Sequence, residues 1–232
     1  MTRRLLIGIG VLVSALVIAG CSSSTKGNGG AGSSSNTASS SVPAPSSSSA
    51  AETITQAQAR AALLAPTAVG ASFTQAAYTP QDQQAPCGAG GQTLEEADPQ
   101  TLRVGATSIS VTLKASFSEE LFAYVDAAHA AQALAFLANG VNCKTGSLPL
   151  EGGGTLPVTF GAVQAVTAQL KPARKAVAVQ IDSSSTKVVL AAAQLGRLML
   201  VFTFAAAKST PDTVLPNPIG IAAKAVTKVA KS

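Results

Sequence analysis

Apolar and polar residues alternate along residues 106–117. Every second residue from position 109 to position 117 is apolar, and the residues between them are Ser, Thr or Lys. A period of two with one polar side is typical of a half-buried β-strand. The pattern therefore predicts one long strand over residues 106–117 and a second, shorter strand over residues 121–125.

Three segments carry the start and stop signals of helices. Ser, Thr, Asp and Asn cap helix N-termini because their side chains accept hydrogen bonds from free backbone N–H groups. Proline fits the first helical position but ends a helix when it follows one. The first predicted helix covers residues 55–65, with Thr53 or Thr55 as its cap and Pro66 as its stop. The second is capped by Asp126, runs through residue 139 and stops at Gly140. The third is capped by Asn217 and has Pro218 at its first position.

Four apolar runs after the middle helix predict four further strands. Only short turns separate the last three, so their pairing is expected to be antiparallel. The final run is apolar on both faces, which indicates a central strand covered on both sides, or covered on one side and facing a pocket on the other. The runs are residues 156–166, 176–181, 187–193 and 197–204.

The order of these elements is helix, strands, helix, four strands, helix. Strands joined by short turns, with few helices between them, indicate the α+β class. We therefore predict that residues 52–232 form a single domain, with an antiparallel β-sheet of about five to six strands and helices packed on one face. A groove in this domain is expected beside Met199, Phe202 or Phe160.

The N-terminus has the organisation of an export signal. Arg3 and Arg4 precede an almost unbroken apolar run over residues 5–20, and the run ends in Ala19-Gly20-Cys21. This order is that of a secretory signal peptide, and small residues before a Cys resemble a bacterial lipobox. We predict a signal peptide over residues 1–20 and lipid on Cys21. The alternative is an uncleaved signal anchor with an incidental Cys.

Residues 21–51 are predicted to be a disordered tether. Thirteen of the 29 residues from 22 to 50 are Ser, and Lys26 is the one charge. Such a segment cannot bury enough apolar surface to offset the entropy cost of ordering. With lipid on Cys21, the domain is expected at the extracytoplasmic face of the cell membrane, held by its N-terminal lipid.

Cys87 and Cys143 remain once Cys21 carries lipid. Outside the cytoplasm two cysteines most simply form a disulfide, so we predict this bond. A metal site or a pair of reactive thiols is the alternative. With one His and no CxxC motif in the chain, the metal alternative has little support.

Composition and motifs argue against an enzyme. The net charge is +5, there is no Trp, and His129 is the single imidazole, expected on a helix surface. There is no GxSxG motif, and the Gly-rich stretches lack a phosphate-loop spacing. Glu119 and Glu120 are interpreted as solvated charges in a turn or bulge, because strand neighbours point to opposite faces and would not share an acid–base site. We expect no catalytic residue, no cofactor or metal, and no nucleic-acid partner.

Three lysines lie on one side of the predicted last helix. Lys224, Lys228 and Lys231 are spaced at i, i+4 and i+7. They would either contact anionic lipid headgroups or form a solvated face that interacts favourably with the helix dipole.

Several short segments between residues 55 and 231 share their order and spacing with a known family. They are Leu63-Leu64, Val69-Gly70-Ala71-Ser72-Phe73, Pro86-Cys87, Val141-Asn142-Cys143, Leu195-Gly196-Arg197 and the Ala/Lys-rich last helix. In these segments the chain resembles actinobacterial, mycobacterial-type lipoproteins with a PknH-like extracellular domain, a sensor-type module also found in receptor Ser/Thr protein kinases. Members often have a second disulfide, which is missing here. The resemblance implies an α+β domain with a groove and a role in binding something in the cell envelope.

We therefore expect a membrane-anchored lipoprotein whose domain is a non-enzymatic ligand-binding or sensor-like module. Its partner would be a small apolar or envelope-derived ligand. The alternatives are an envelope scaffold or accessory protein that binds a protein or cell-wall partner, and a hydrolase in which His129 lies beside a nucleophile.

Overall fold

The computed structural model describes residues 54–80, 87, 93–149 and 155–232. The predicted signal peptide (1–20), the lipid site Cys21 and the predicted tether (21–51) lie outside the described residues. Within the part that is described, no helix is both long enough and apolar enough to span a membrane.

The described residues form one β-sheet of long and short strands, and every strand pair in it is antiparallel. Its strands follow the order β1-β2-β3-β9-β8-β7-β5-β4, and β6 also pairs with β7. Nine strands exceed the five to six predicted, while the α+β class is confirmed. The strands are β1 Thr74–Ala76, β2 Leu102–Ser110, β3 Ala115–Ala123, β4 Thr145–Pro149, β5 Thr155–Phe160, β6 Gln164–Ala165, β7 Lys175–Asp182, β8 Thr186–Leu195 and β9 Leu198–Ala207.

The helices begin where the capping residues predict. Thr55 caps the first helix, Asp126 the middle one and Asn217 the last, each accepting backbone N–H groups of the first turn. The helices are α1 Gln56–Ala62, α2 Pro66–Val69, α3 Leu94–Ala97, α4 Ala127–Gly140 and α5 Pro218–Val229, with a 3₁₀ turn at Asp212–Val214.

The predicted long strand over residues 106–117 is wrong, because a hairpin turn at residues 111–114 divides it. Lys114 in this turn has φ 47°. Ser110 pairs with Ala115, and Ser108 pairs with Phe117. Directly paired residues point to the same face, so Phe117 lies on the face of Ser108 and not on that of Ile109. The alternation in the sequence runs through the turn by coincidence, and Val111 is 84% exposed there.

Helices cover both faces of the sheet, which corrects the prediction of one covered face. Strand β9 shows this most clearly, because its alternate residues enter two different cores. Leu200 and Phe202 pack in the core under α1 and α5, whereas Met199 and Val201 pack in the core under α4. The prediction of a central strand buried on both sides is therefore confirmed.

Cys87 and Cys143 form the predicted disulfide, with their Cα atoms 5.7 Å apart. The backbone N–H of Cys87 also donates to the carbonyl of Gly140 at 2.8 Å. Together these bonds fix Cys87 against the C-terminus of α4, beside a third small core that contains Val141 and Phe160.

Candidate functional site

A cleft of about 300 Å³ opens on the α5 face of the sheet, in front of the N-terminus of α5. Its floor comes from β7, β8 and β9, and its wall from the chain between the 3₁₀ turn and α5. The lining residues are Gln180, Lys187, Val189, Phe204, Asp212, Leu215, Pro216, Asn217 and Pro218.

The cleft exists because α5 begins too late to cover the ends of these strands. Asn217 caps the helix, with its side-chain oxygen accepting the N–H groups of Ile219 and Gly220 at 3.0 and 3.2 Å. Pro218 occupies the first helical position and Pro216 precedes the cap, so the helix cannot extend backwards over the sheet. The space in front of Pro218 is therefore left open, and Phe204, a buried residue of the core under α5, lies at its bottom.

An ion pair stands at the rim of the cleft. The ammonium of Lys187 donates to the carbonyl of Thr210 at 3.2 Å and pairs with the carboxylate of Asp212. The Lys187 side chain is 23% exposed, whereas that of Asp212 is 85% exposed. Ion pairs this open to solvent contribute at most about 1 kcal/mol, so the contact is easily exchanged.

The groove residues predicted from the sequence do not line this cleft. Met199, Phe202 and Phe160 are each less than a tenth exposed and belong to the three packed cores. The signal that could have located the cleft is the segment with Pro211, Pro216 and Pro218, which delays the last helix.

Glu119 is buried, against the interpretation of solvated charge in a turn. It lies within β3, is 1% exposed and faces the core under α1 and α5. Its Oε2 accepts the N–H of Leu64 at 2.9 Å, between α1 and α2. Burial raises the pKa of this carboxyl to about 7, opposed by the hydrogen bond from Leu64 and by the charge of Lys228. The carboxyl thus ties the segment between α1 and α2 to the sheet.

Glu120 is also buried but points to the opposite face, as its place beside Glu119 in a strand requires. Its Oε2 accepts from Nε and Nη2 of Arg103 at 3.0 and 2.8 Å. Nη1 of the same guanidinium donates to Glu95 at 2.9 Å. Burial raises the pKa of Glu120, and the charge of Arg103 opposes that shift. Arg103 therefore joins β2, β3 and α3 through one largely buried cation.

Gly105 and Tyr78 close this network on its outer side. A Cβ atom at Gly105 would lie 2.3 Å from two ring carbons of Tyr78, so only glycine lets the ring rest on the strand. Burial, followed by the charge of Glu120, raises the pKa of Tyr78 to about 12. The cluster thus contains one cation, Arg103, between two carboxylates, with the ring of Tyr78 packed beside it.

His129 lies on the surface of the first turn of α4. Its Nδ1 is 2.9 Å from Oδ1 of Asp126, the helix cap, and this hydrogen bond raises the pKa of the imidazole. The imidazole therefore supports the cap of a helix. In the described residues no group of three or more His, Cys, Asp or Glu side chains is placed to hold a metal ion.

Two of the three lysines spaced along the last helix have hydrogen-bond partners within the domain. Lys224 donates to the carbonyl of Ala68 at 3.1 Å, and Lys228 donates to that of Leu63. Both therefore fasten α5 to the chain around α2, which favours a role within the domain over contact with headgroups.

Replacing Lys228 with Met should lower the free energy of unfolding by about 1 kcal/mol, since the carbonyl of Leu63 loses its charge-assisted donor. Denaturant unfolding measures this loss. Lys231→Met is the control, because the Lys231 ammonium donates to no backbone carbonyl within the described residues. Equal stability of the two variants, together with equal losses of binding to anionic vesicles, would instead favour the headgroup interpretation.

No protein-family model matches this sequence, and no curated protein matches it. The crystal structure of the extracellular domain of PknH from Mycobacterium tuberculosis is similar, with a TM-score of 0.60 and 16% identity over 77% of this chain and 98% of that one. A putative uncharacterised protein from Mycobacterium smegmatis, an Rv0999 ortholog, has a TM-score of 0.32 and 13% identity over 70% of this chain and 92% of that one. The first comparison shows that this chain has a PknH-like extracellular-domain fold.

Proposed function

We propose that the protein is a lipid-anchored module on the outer face of the cell membrane, without enzymatic activity, that binds a small ligand in the cleft in front of α5. The observation that carries this proposal is the cleft itself. Its floor of Val189 and Phe204 is apolar, and its rim carries the ion pair of Lys187 and Asp212. An apolar concavity with a few polar groups at one end is the usual form of a small-molecule site.

The placement outside the cytoplasm rests on three observations of different kinds. The sequence has a lipobox-like Cys21 after an apolar signal, a disulfide joins Cys87 and Cys143, and the fold is that of an extracellular domain. Disulfides persist in such compartments. Glu119 and Arg103 are not among the residues that line the cleft, so neither is placed to react with a ligand bound there.

Filling the cleft should abolish ligand capture. In Val189→Trp the indole would occupy the floor between Phe204 and Leu215. The control is Val125→Trp, the same change at a valine that follows the C-terminal end of β3 and is 60% exposed. Each protein is expressed in a related bacterium, purified from its envelope and measured by native mass spectrometry. We expect a discrete extra mass on the wild-type protein and on the control, and none on Val189→Trp.

Two outcomes would contradict the proposal. The same extra mass on Val189→Trp would place the ligand outside the cleft. A bare polypeptide mass for the wild-type protein would favour the alternative of an envelope scaffold that binds a protein or cell-wall partner.

A further inference from the structure

The dimensions of the cleft restrict the size of its ligand. About 300 Å³ is the space of about ten water molecules, at about 30 Å³ for each. A ligand of about ten non-hydrogen atoms fits within it. Val189 and Phe204 on the floor and Leu215 on the wall offer only apolar surface, while the amide of the third floor residue, Gln180, donates to Asp182. A ligand that lies along these apolar side chains is therefore itself apolar over most of its length.

Lys187 is the cationic side chain in the lining of the cleft. The carbonyl of Thr210 holds the ammonium at 3.2 Å, so the cation is fixed at the rim before a ligand arrives. Its present counter-ion, Asp212, is 85% exposed on the 3₁₀ turn and returns to water at little cost when another anion replaces it.

The second acid near Lys187 already has partners. Asp182 is the cross-strand neighbour of Lys187 in the β7–β8 pair. Its carboxylate accepts from Nε2 of Gln180 at 2.8 Å and lies 3.6 Å from Nζ of Lys208. Lys187 is therefore left with Asp212 as its exchangeable anion.

We infer that the cleft binds a small amphiphilic carboxylate, with a straight apolar chain of about eight carbons over Val189 and Phe204 and its carboxylate in the place of Asp212 on Lys187. This inference rests on the proposed function and gives the ligand a chemical class. It makes the two members of one ion pair act in opposite directions, because Lys187 attracts the ligand and Asp212 competes with it.

Octanoate is the probe for this inference, with octanol as its uncharged analogue. The protein is the predicted mature chain, residues 21–232, with Cys21→Ser and an intact disulfide, so that no membrane or detergent takes up the probe. Titrations followed by isotope-edited NMR give the Kd, and shifts of the Val189 and Leu215 methyl groups locate the probe.

Lys187→Gln should weaken octanoate binding about tenfold and leave octanol binding unchanged, because the carboxylate loses a charge-assisted hydrogen bond from an ammonium that the carbonyl of Thr210 already holds in place. Asp212→Asn should strengthen octanoate binding about two- to fivefold, which is the range of a solvent-exposed ion pair. The control is Lys208→Gln, whose ammonium lies on Asp182 instead. Its effect on octanoate should be less than twofold.

Octanoate binding that is unchanged in Lys187→Gln, or weakened in Asp212→Asn, would overturn the inference while leaving the cleft as a site. Tighter binding of octyl phosphate than of octanoate would also overturn it, in favour of a phosphomonoester. If neither octanoate nor octanol moves the cleft methyl groups, the inference is wrong, while the captured mass on the wild-type protein tests the proposed function separately.

Discussion

Replacing Arg103 with Met should lower the free energy of unfolding by about 3–5 kcal/mol, the cost of removing one partner from a buried ion pair. The Arg103 side chain is 12% exposed and pairs with two carboxylates, those of Glu95 and Glu120, whose side chains are 17% and 10% exposed. Without the cation these two like charges face each other in a weakly solvated space. Urea unfolding at pH 7 measures the loss.

The charge, and not the packing, should account for most of this effect. Met keeps the apolar stem of Arg103 over the ring of Phe122, on which the guanidinium now lies at 5.1 Å from the ring centroid. The double variant Arg103→Met with Glu120→Gln should therefore recover part of the stability. Arg60→Met is the control, because Arg60 is exposed on α1, and we expect a change within about 0.5 kcal/mol. A loss of similar size in both single arginine variants would show that the ion cluster contributes no more to stability than an exposed arginine does.

Glu119→Gln should stabilise the domain above neutral pH and leave it nearly unchanged in acid. Burial raises the pKa of Glu119 from 4.5 to about 7 in the folded protein, so the folded state holds the proton more strongly than the unfolded state. The contribution of this carboxyl is then most favourable below about pH 4.5, falls as the pH rises, and is lost above about pH 7. The difference corresponds to about 3 kcal/mol.

The glutamine removes this dependence because it does not ionise. Its carboxamide oxygen can accept the N–H of Leu64, as Oε2 of Glu119 does at 2.9 Å. Its amide group stands at Oε1 of Glu119, which is buried without a hydrogen-bond partner among the described residues, so in acid the glutamine and the protonated carboxyl both bury an unpaired donor there. The measurement is the difference in unfolding free energy between wild type and variant from pH 4 to pH 8.

Glu120→Gln is the matched control, because it makes the same change one residue along the same strand. We expect it to destabilise the domain at pH 8, since Arg103 loses a charged acceptor in a buried cluster. Two neighbouring glutamates should thus respond with opposite signs. Destabilisation by Glu119→Gln at pH 8 would mean that Glu119 is ionised and paired in the folded protein, which would contradict our account.

Much of the fold is local and was predictable from the sequence. Helix starts depend on whether one side chain can accept the N–H groups of the next turn, and Thr55, Asp126 and Asn217 each do so. The apolar runs that predicted the last three strands appear as β7, β8 and β9, because short polar turns and β-branched residues are local signals. The cysteine pair could be predicted because only two remained after Cys21 was assigned to lipid.

What the tertiary structure decided are the facts that depend on distant parts of the chain. Whether Glu119 and Glu120 are exposed to water depends on α1 and α5 on one face of the sheet and on Arg103 on the other. All three are too far away in the sequence to enter the local pattern of apolar and polar residues. The hairpin at residues 111–114 has the same apolar–polar alternation as a strand, so only pairing distinguishes them. The cleft likewise depends on where α5 begins relative to strands that precede it in the chain. The sequence determined which segments are helix or strand and where the helices start, whereas packing between segments decided which charges are buried and where a ligand could enter.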